Sequence, residues 1–298
     1  LKMEILLSTY NGEKYISDQL DSILSQNYKN IILLIRDDGS TDSTTQIIEK
    51  YMTQHQNIQL IRGKNVGVIN SFFELIKSAD LNHEYYALAD QDDWWLPHKL
   101  TQAVMNIQPY SKEPALYCGS KIFVDENLKL LKTDIKSPVY KVSFGNALVQ
   151  NICTGCTCVF NRKLLELVQQ TIPQHAIMHD WWLYLTATCF GKVYYDSQAY
   201  IYYRQHHLNV SAAIYSKKQL LFYRIKQLFQ NRGQIYRQAH EFNEKFNLPS
   251  ENQKLLQEFL KSQVSWRYRV RVIRNPAIFR QKKEDNFVLK VIILLGKL

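Results

Sequence analysis

Glycine and proline are scarce in this chain, 10 and 7 in 298 residues, and no Gly-rich loop stands near the start. The stretch "STYNGEKY" occupies the place where a sugar nucleotidyltransferase would carry a glycine-rich, basic phosphate loop, which speaks against that class. Five cysteines (Cys118, Cys153, Cys156, Cys158, Cys189) make an odd set without framework spacing, which argues against a disulfide scaffold and suits a reducing cytosol. Cys153 and Cys156 form a lone C-x-x-C in an apolar stretch; without the second pair that zinc needs, they are expected to pack. No apolar run approaches the roughly 20 residues that cross a bilayer. The stretch "NFVLKVIILLGKL" is too short and is broken by Lys290. Signal-peptide patterning, internal repeats and low-complexity linkers are not seen.

What is present is an ordinary globular composition, 46% hydrophobic and 21% charged, in a chain long enough to bury a sizeable core. The net charge of +10 is unevenly placed. Residues 217–298 hold 18 Lys and Arg against 6 Asp and Glu, leaving 19 and 21 in residues 1–216. Such a tail points to an anionic partner, a membrane surface, nucleic acid or an anionic polymer, or to a solvated helical face.

The first hundred residues alternate short apolar runs, "MEILLS", "NIILLIR", "IQLIR" and "YYALA", with amphipathic stretches such as "GEKYISDQLDSILSQ". Continuous apolar strands alternating with helices predict a mostly parallel sheet covered on both faces. Ligands of such sheets bind beyond the carboxyl ends of the strands. That rim collects Thr9, Tyr10 and Asn11, then Asp37 and Asp38, then Asn65 and Gly67, then the acids of "ADQDDWW". Farther on, "ALYCGSKIFVD" reads as strand to loop, "TGCTCVFNRKLLELV" as strand to helix, and "MHDWWLYLTATCFG" as a helix ending at Gly191. "KVYYD" and "AYIYYRQH" read as two strands, and from about 214 the pattern turns helical, with a basic polar face on "SKKQLLFYRIKQLFQNR".

Asp90, Asp92 and Asp93 crowd directly after the fourth strand. Like charges so close repel, and a D-x-D pair there suits a hard divalent cation, Mg2+ or Mn2+, completed by substrate phosphates. Asp90 and Asp92 are the expected ligands, with Asp93 in support or capping the helix after Pro97.

In order, "STYNGEKYISDQLDSILSQ", "IRDDGSTDST", "NVGVINSF", "ADQDDWWLPHKL", "TGCTCVFNRKLL", "MHDWW" and "YRQH" resemble the family 2 glycosyltransferases of GT-A fold, nearest the bacterial rhamnosyltransferases of cell-wall and capsular polysaccharide synthesis. The resemblance covers roughly residues 3–210. It implies a Rossmann-like α/β domain over 1–213, with a nucleotide-binding half (1–110) and an acceptor and base half (111–213), followed by a basic helical extension over 214–298. It also implies that Thr9, Tyr10, Asp37, Asp38, Asn65 and Asp90 bind the nucleotide and that Asp90 and Asp92 hold the metal. Asp180 would be the catalytic base, with His179 where the family usually has Glu. Gly155, Trp94 and Trp181 would belong to the donor and acceptor loop, Arg204 would neutralise phosphate, and His206 would ligate metal or phosphate.

The expected reaction is an inverting, metal-dependent sugar transfer, from dTDP-rhamnose or from a UDP-hexose such as UDP-galactose or UDP-glucose. The expected acceptor is a lipid-linked surface glycan at the cytoplasmic face of a bacterial membrane, with residues 214–298 touching that membrane. A sugar nucleotidyltransferase and a nucleic-acid-binding protein are the alternatives; the second leaves the acidic rim unused.

Overall fold

A computed structural model describes residues 1–131, 139–205 and 233–298. The four apolar runs become β1 (Met3–Thr9), β2 (Ile31–Asp37), β3 (Ile58–Arg62) and β4 (Tyr85–Ala89), parallel and ordered β3-β2-β1-β4. Helices α1 (Ile16–Leu24), α2 (Thr44–Gln54) and α3 (Val68–Ser78) make the crossovers. The strands are continuously apolar because both faces are covered: Leu6, Leu34 and Leu88 pack on the α3 side, and Ile5, Leu7, Leu33 and Ile35 on the α1 side.

The sheet continues in mixed orientation through β5 (Trp94–Trp95), β6 (Ala115–Val124), β7 (Val159–Asn161) and β8 (Lys192–Arg204) to the full order β3-β2-β1-β4-β7-β6-β8-β5. β7 runs antiparallel to β4 and β6, while β8 is parallel to β6. Where two strands were expected near the end of this region, β8 is one strand of 13 residues. Register shifts around Ser120 of β6 absorb the polar interruption, as a bulge does. Helices α4 (Lys99–Ile107), α5 (Phe144–Ala147), α6 (Arg162–Gln170) and α7 (His179–Phe190) complete this part. Asp93 does not cap α4, whose N-cap is His98.

Among the described residues four helices follow: α8 (Gln234–Lys245), α9 (Ser250–Lys261), α10 (Trp266–Arg274) and α11 (Lys283–Leu294). They share the core of the sheet domain. Phe242 meets Trp182 of α7 edge-on at 5.3 Å, and Phe246 packs on Phe190 at 5.1 Å. The α8 side chains also hold the approach to α7: Glu241 accepts from the Gln174 and His175 amides, each at 2.7 Å, and Gln238 accepts from the Ile177 amide at 2.9 Å. The amphipathic stretch 216–232 lies outside the described residues, and no helix among those described is long and apolar enough to cross a membrane.

Candidate active site

The carboxyl ends of β1, β2, β3 and β4 bring the four acidic and polar loops together. Asp37 accepts from the Gly39 amide at 3.1 Å and the Ser40 amide at 2.9 Å through one oxygen, and its buried second oxygen has no hydrogen-bond partner among the described residues. Gly39 makes this turn with φ of +83°, a conformation that side chains resist. Asp38 faces inward: it pairs with buried Arg36 at 2.5 Å and accepts from the Val66 and Gly67 amides at 2.9 Å each. It therefore shapes the Asn65–Gly67 loop, which departs from the expected direct nucleotide contact. Asn65 accepts from the Gly67 amide at 3.2 Å. A cavity of about 330 Å3 beside this loop is lined by Arg36, Lys64, Val66 and Asn70, among others.

Gln91, the middle residue of D-x-D, joins the first loop to the acidic one. Its Oε1 accepts from Thr9 Oγ1 at 2.6 Å and the Tyr10 amide at 2.8 Å, and its Nε2 donates to the Tyr10 carbonyl at 3.1 Å. Tyr10 itself is exposed and Thr9 is buried.

Oxygens of Asp90 and Asp93 and the Cys156 sulfur lie within 4.8 Å of one another. Burial first, and then the neighbouring carboxylate of Asp92, push both acids well above the usual carboxylate range. One oxygen of Asp93 accepts from the Arg204 amide at 3.3 Å, and the other is buried without a partner among the described residues. Crowded carboxylates with an orphaned oxygen fit a hard divalent ion. The Cys156 thiol, pushed far up by burial and by Asp93 and Asp90, stays protonated and does not suit such an ion.

Asp180 stands in the first turn of α7, where the helix dipole favours its anion. Burial pushes its pKa up to about 6, against hydrogen bonds from the Gly155 and Trp181 amides, the charge of Lys121 and the Asn151 amide group. Asn151 Nδ2 donates to it at 2.9 Å. Asp180 raises the pKa of Asp90, and Lys121 lowers those of both, so Asp180 and the acidic loop share one electrostatic field. Gly155 lies beneath: a Cβ there would come within 2.7 Å of His179 Nε2. His179, stacked on Phe72 at 3.9 Å, has both ring nitrogens buried without partners among the described residues, and burial holds its pKa down to about 3. A neutral ring cannot replace the charge of the family's usual Glu.

Other expected residues fare differently. Arg204 is only 2% exposed: Nε donates to the Asp92 carbonyl at 2.9 Å, Nη2 to Asp18 at 2.7 Å and Nη1 to the Glu126 carbonyl, and the guanidinium lies 4.5 Å from the Tyr15 ring centre. Such placement makes it a brace for the acidic loop, where a phosphate contact was expected. Trp181 is buried, with Nε1 donating to the Ala147 carbonyl at 2.6 Å, so it packs and does not offer a free ring. Trp94 is half-buried on β5 opposite Tyr202. His206 lies outside the described residues. Cys156 was expected only to pack, and two residues went unread in the sequence: Gln91 and Lys121, whose Nζ donates to Thr154 Oγ1 at 3.2 Å and sits 4.0 Å from the Tyr203 ring centre. The basic residue in the apolar "ALYCGSKIFVD" strand was the one available signal.

Residues 4–168 match the description "Glycosyl transferase family 2". The chain belongs to that family. It is 31% identical over 230 residues to the dTDP-rhamnosyl transferase RfbG of Shigella flexneri, covering 71% of this chain and 75% of that protein. Other relatives are longer: the chain spans 59% of the uncharacterized protein Rv1520 of Mycobacterium tuberculosis, with 26% identity over 208 residues and 68% of this chain covered. Among solved structures it is similar to S. aureus TarS 1–349 in complex with UDP-GlcNAc, with a TM-score of 0.59, 18% identity and coverage of 100% and 82% of the two chains. It is also similar to the mannosyltransferase PcManGT of Pyrobaculum calidifontis in complex with GDP-Man and Mn2+, with a TM-score of 0.52, 15% identity and coverage of 98% and 80%. The family 2 protein thus has the GT-A fold and is a glycosyltransferase, which decides among the enzyme classes the sequence left open. The family match ends before Asp180, so the expectation that Asp180 is the base rests on the geometry of α7 and on the resemblance carried by "MHDWW".

Proposed function

We propose that this glycosyltransferase moves L-rhamnose from dTDP-rhamnose to a hydroxyl of a growing, lipid-linked bacterial surface polysaccharide, with inversion at the anomeric carbon. The observation that carries the reading is Asp180: a buried carboxylate with a pKa raised to about 6, in the same field as the Asp90–Asp93 loop. A base near neutrality is suited to taking a proton from an acceptor hydroxyl as that oxygen attacks. One base without a covalent nucleophile gives a single displacement, hence inversion. The second oxygen of Asp37 is a free acceptor for a pyrimidine N3–H, and exposed Tyr10 can stack on the base. Asp90 and Asp92, with Asp93 in support, would hold Mn2+ or Mg2+, which supplies Lewis-acid stabilisation of the nucleoside diphosphate leaving group. Arg204 keeps the Asp92 backbone in place.

Rhamnose is favoured by the similarity to RfbG; a UDP-hexose is the second reading, since TarS was solved with UDP-GlcNAc. Residues 1–213 as catalytic domain and 214–298 as basic extension fit an enzyme held peripherally at the cytoplasmic face, where a lipid-linked acceptor lies. The test is a screen of dTDP-rhamnose, UDP-galactose, UDP-glucose and GDP-mannose with Mn2+ or Mg2+, scored by protection against thermal unfolding and by the product released. A donor that binds only the native state raises the midpoint. Protection by dTDP-rhamnose and release of dTDP are expected; protection by none of the four, or release of pyrophosphate, overturns the reading.

A further inference from the structure

The C-terminal helices turn an apolar stripe outward on α11 and a set of arginines outward on α10. On α11, Phe287 (69% exposed), Val291, Leu294 and Leu295 recur at helical spacing on the side opposite buried Leu289 and Ile293. Val264 (85%) and Trp266 (68%) stand exposed at the start of α10. Arg269 joins the two places: Nη1 donates to the Leu294 carbonyl at 3.2 Å, Nε to Ser262 at 3.0 Å and Nη2 to Gln263 at 2.9 Å. The outer side of α10 carries Arg267, Arg271 and Arg274, which line an open cavity of about 450 Å3 with Val270 and Asn275. Arg271 has Glu258 at 3.4 Å, whereas Arg267 and Arg274 have no acidic partner among the described residues. Residues 233–298 hold 13 Lys and Arg against 6 Asp and Glu.

We propose that this face docks on an anionic phospholipid bilayer. The α11 stripe and Trp266 enter the boundary between headgroups and acyl chains, and the α10 arginines take the headgroup phosphates. An interfacial segment binds through both terms at once, and twelve residues are too few to span a bilayer. A second copy suits the face less, because a two-fold contact would set the same basic surface against itself. Nucleic acid would leave the apolar stripe in water. The inference rests on the peripheral placement proposed above, deepens it by naming the face and its partner, and stands whichever donor is used.

Co-sedimentation of the full chain with vesicles of 30% phosphatidylglycerol in phosphatidylcholine, against phosphatidylcholine alone, tests it. Binding to the first at low salt is expected, falling to background for the exposed double variant Phe287→Glu/Leu295→Glu. Arg267→Ser/Arg274→Ser should weaken it about 25-fold, roughly five-fold per charge lost near the surface. Wild-type protein that stays in the supernatant, or a Phe287→Glu/Leu295→Glu variant that sediments unchanged, overturns the proposal. So does a concentration-dependent dimer that the same variant abolishes without any vesicle binding. Thermal midpoints within a degree or two of wild type show that the variants fold. Sedimentation without donor turnover would leave this face standing and remove only the proposed donor.

Discussion

The chain carries two acidic pairs at the rim of one sheet, and they are built in opposite ways. Asp38 is knitted to Arg36 and two amides, and Asp37 spends one oxygen on the turn that follows it. Asp90 and Asp93 crowd each other and Asp92 instead, with burial and mutual repulsion raising their pKa values. Both segments read as "acidic pair after a strand". The first is largely scaffold, while the second holds a conflict that a cation would relieve.

The sharpest way to separate them lies with the third acid in the field. Asp180→Asn should lower kcat about 1,000-fold, the scale of a lost general base, while donor binding by calorimetry stays within a few-fold. Full activity would return Asp180 to the scaffold class. Next in size is a paired measurement of stability. Asp38→Asn leaves Arg36 buried without its counter-charge and should cost about 3 kcal/mol in urea unfolding. Asp90→Asn in EDTA should leave the midpoint unchanged or raise it, while abolishing ion-dependent donor binding. The pH dependence gives the sign: an acid whose folded pKa is raised binds its proton more tightly when native. Its contribution to stability therefore falls as pH climbs from the unfolded carboxylate value through the raised one, and Asp90→Asn should flatten that fall.

A smaller effect tests the brace. Arg204→Lys cannot reach Asp18 and the Asp92 and Glu126 carbonyls at once, so half-maximal activity should need several-fold more Mn2+ with kcat little changed. Smallest is the field itself. The wild-type rate should rise with pH through about 6 as Asp180 ionises, and Lys121→Met should move that rise to higher pH, since the Lys121 charge lowers the Asp180 pKa. A profile that does not move would separate Lys121 from the base.

Legibility followed the same divide. Strands β1 to β4 were readable because burial on both faces leaves continuous apolar runs, and the rim followed from the ends of those strands. Asp180 was picked out through its motif, and the start of α7 sets it beside the acidic loop. Lys121 and Cys156 were not readable, because strand pairing and a turn carry them to the acids from segments whose patterns speak only of packing, and Gln91 was not, because its bonds to Thr9 and Tyr10 form only where two distant loops meet. Arg204 was found without its partners: "YRQH" gives a cation near the site without saying whether its donors face ligand or backbone.

The join between α7 and α8 limits how far this enzyme can be trimmed. A truncation at residue 213 would strip Phe242 and Phe246 from Trp182 and free the backbone just ahead of Asp180, and one at the end of the family match would remove α7 as well. A minimal active fragment therefore has to retain the helix that begins at Gln234, although no atom of it need ever meet a sugar.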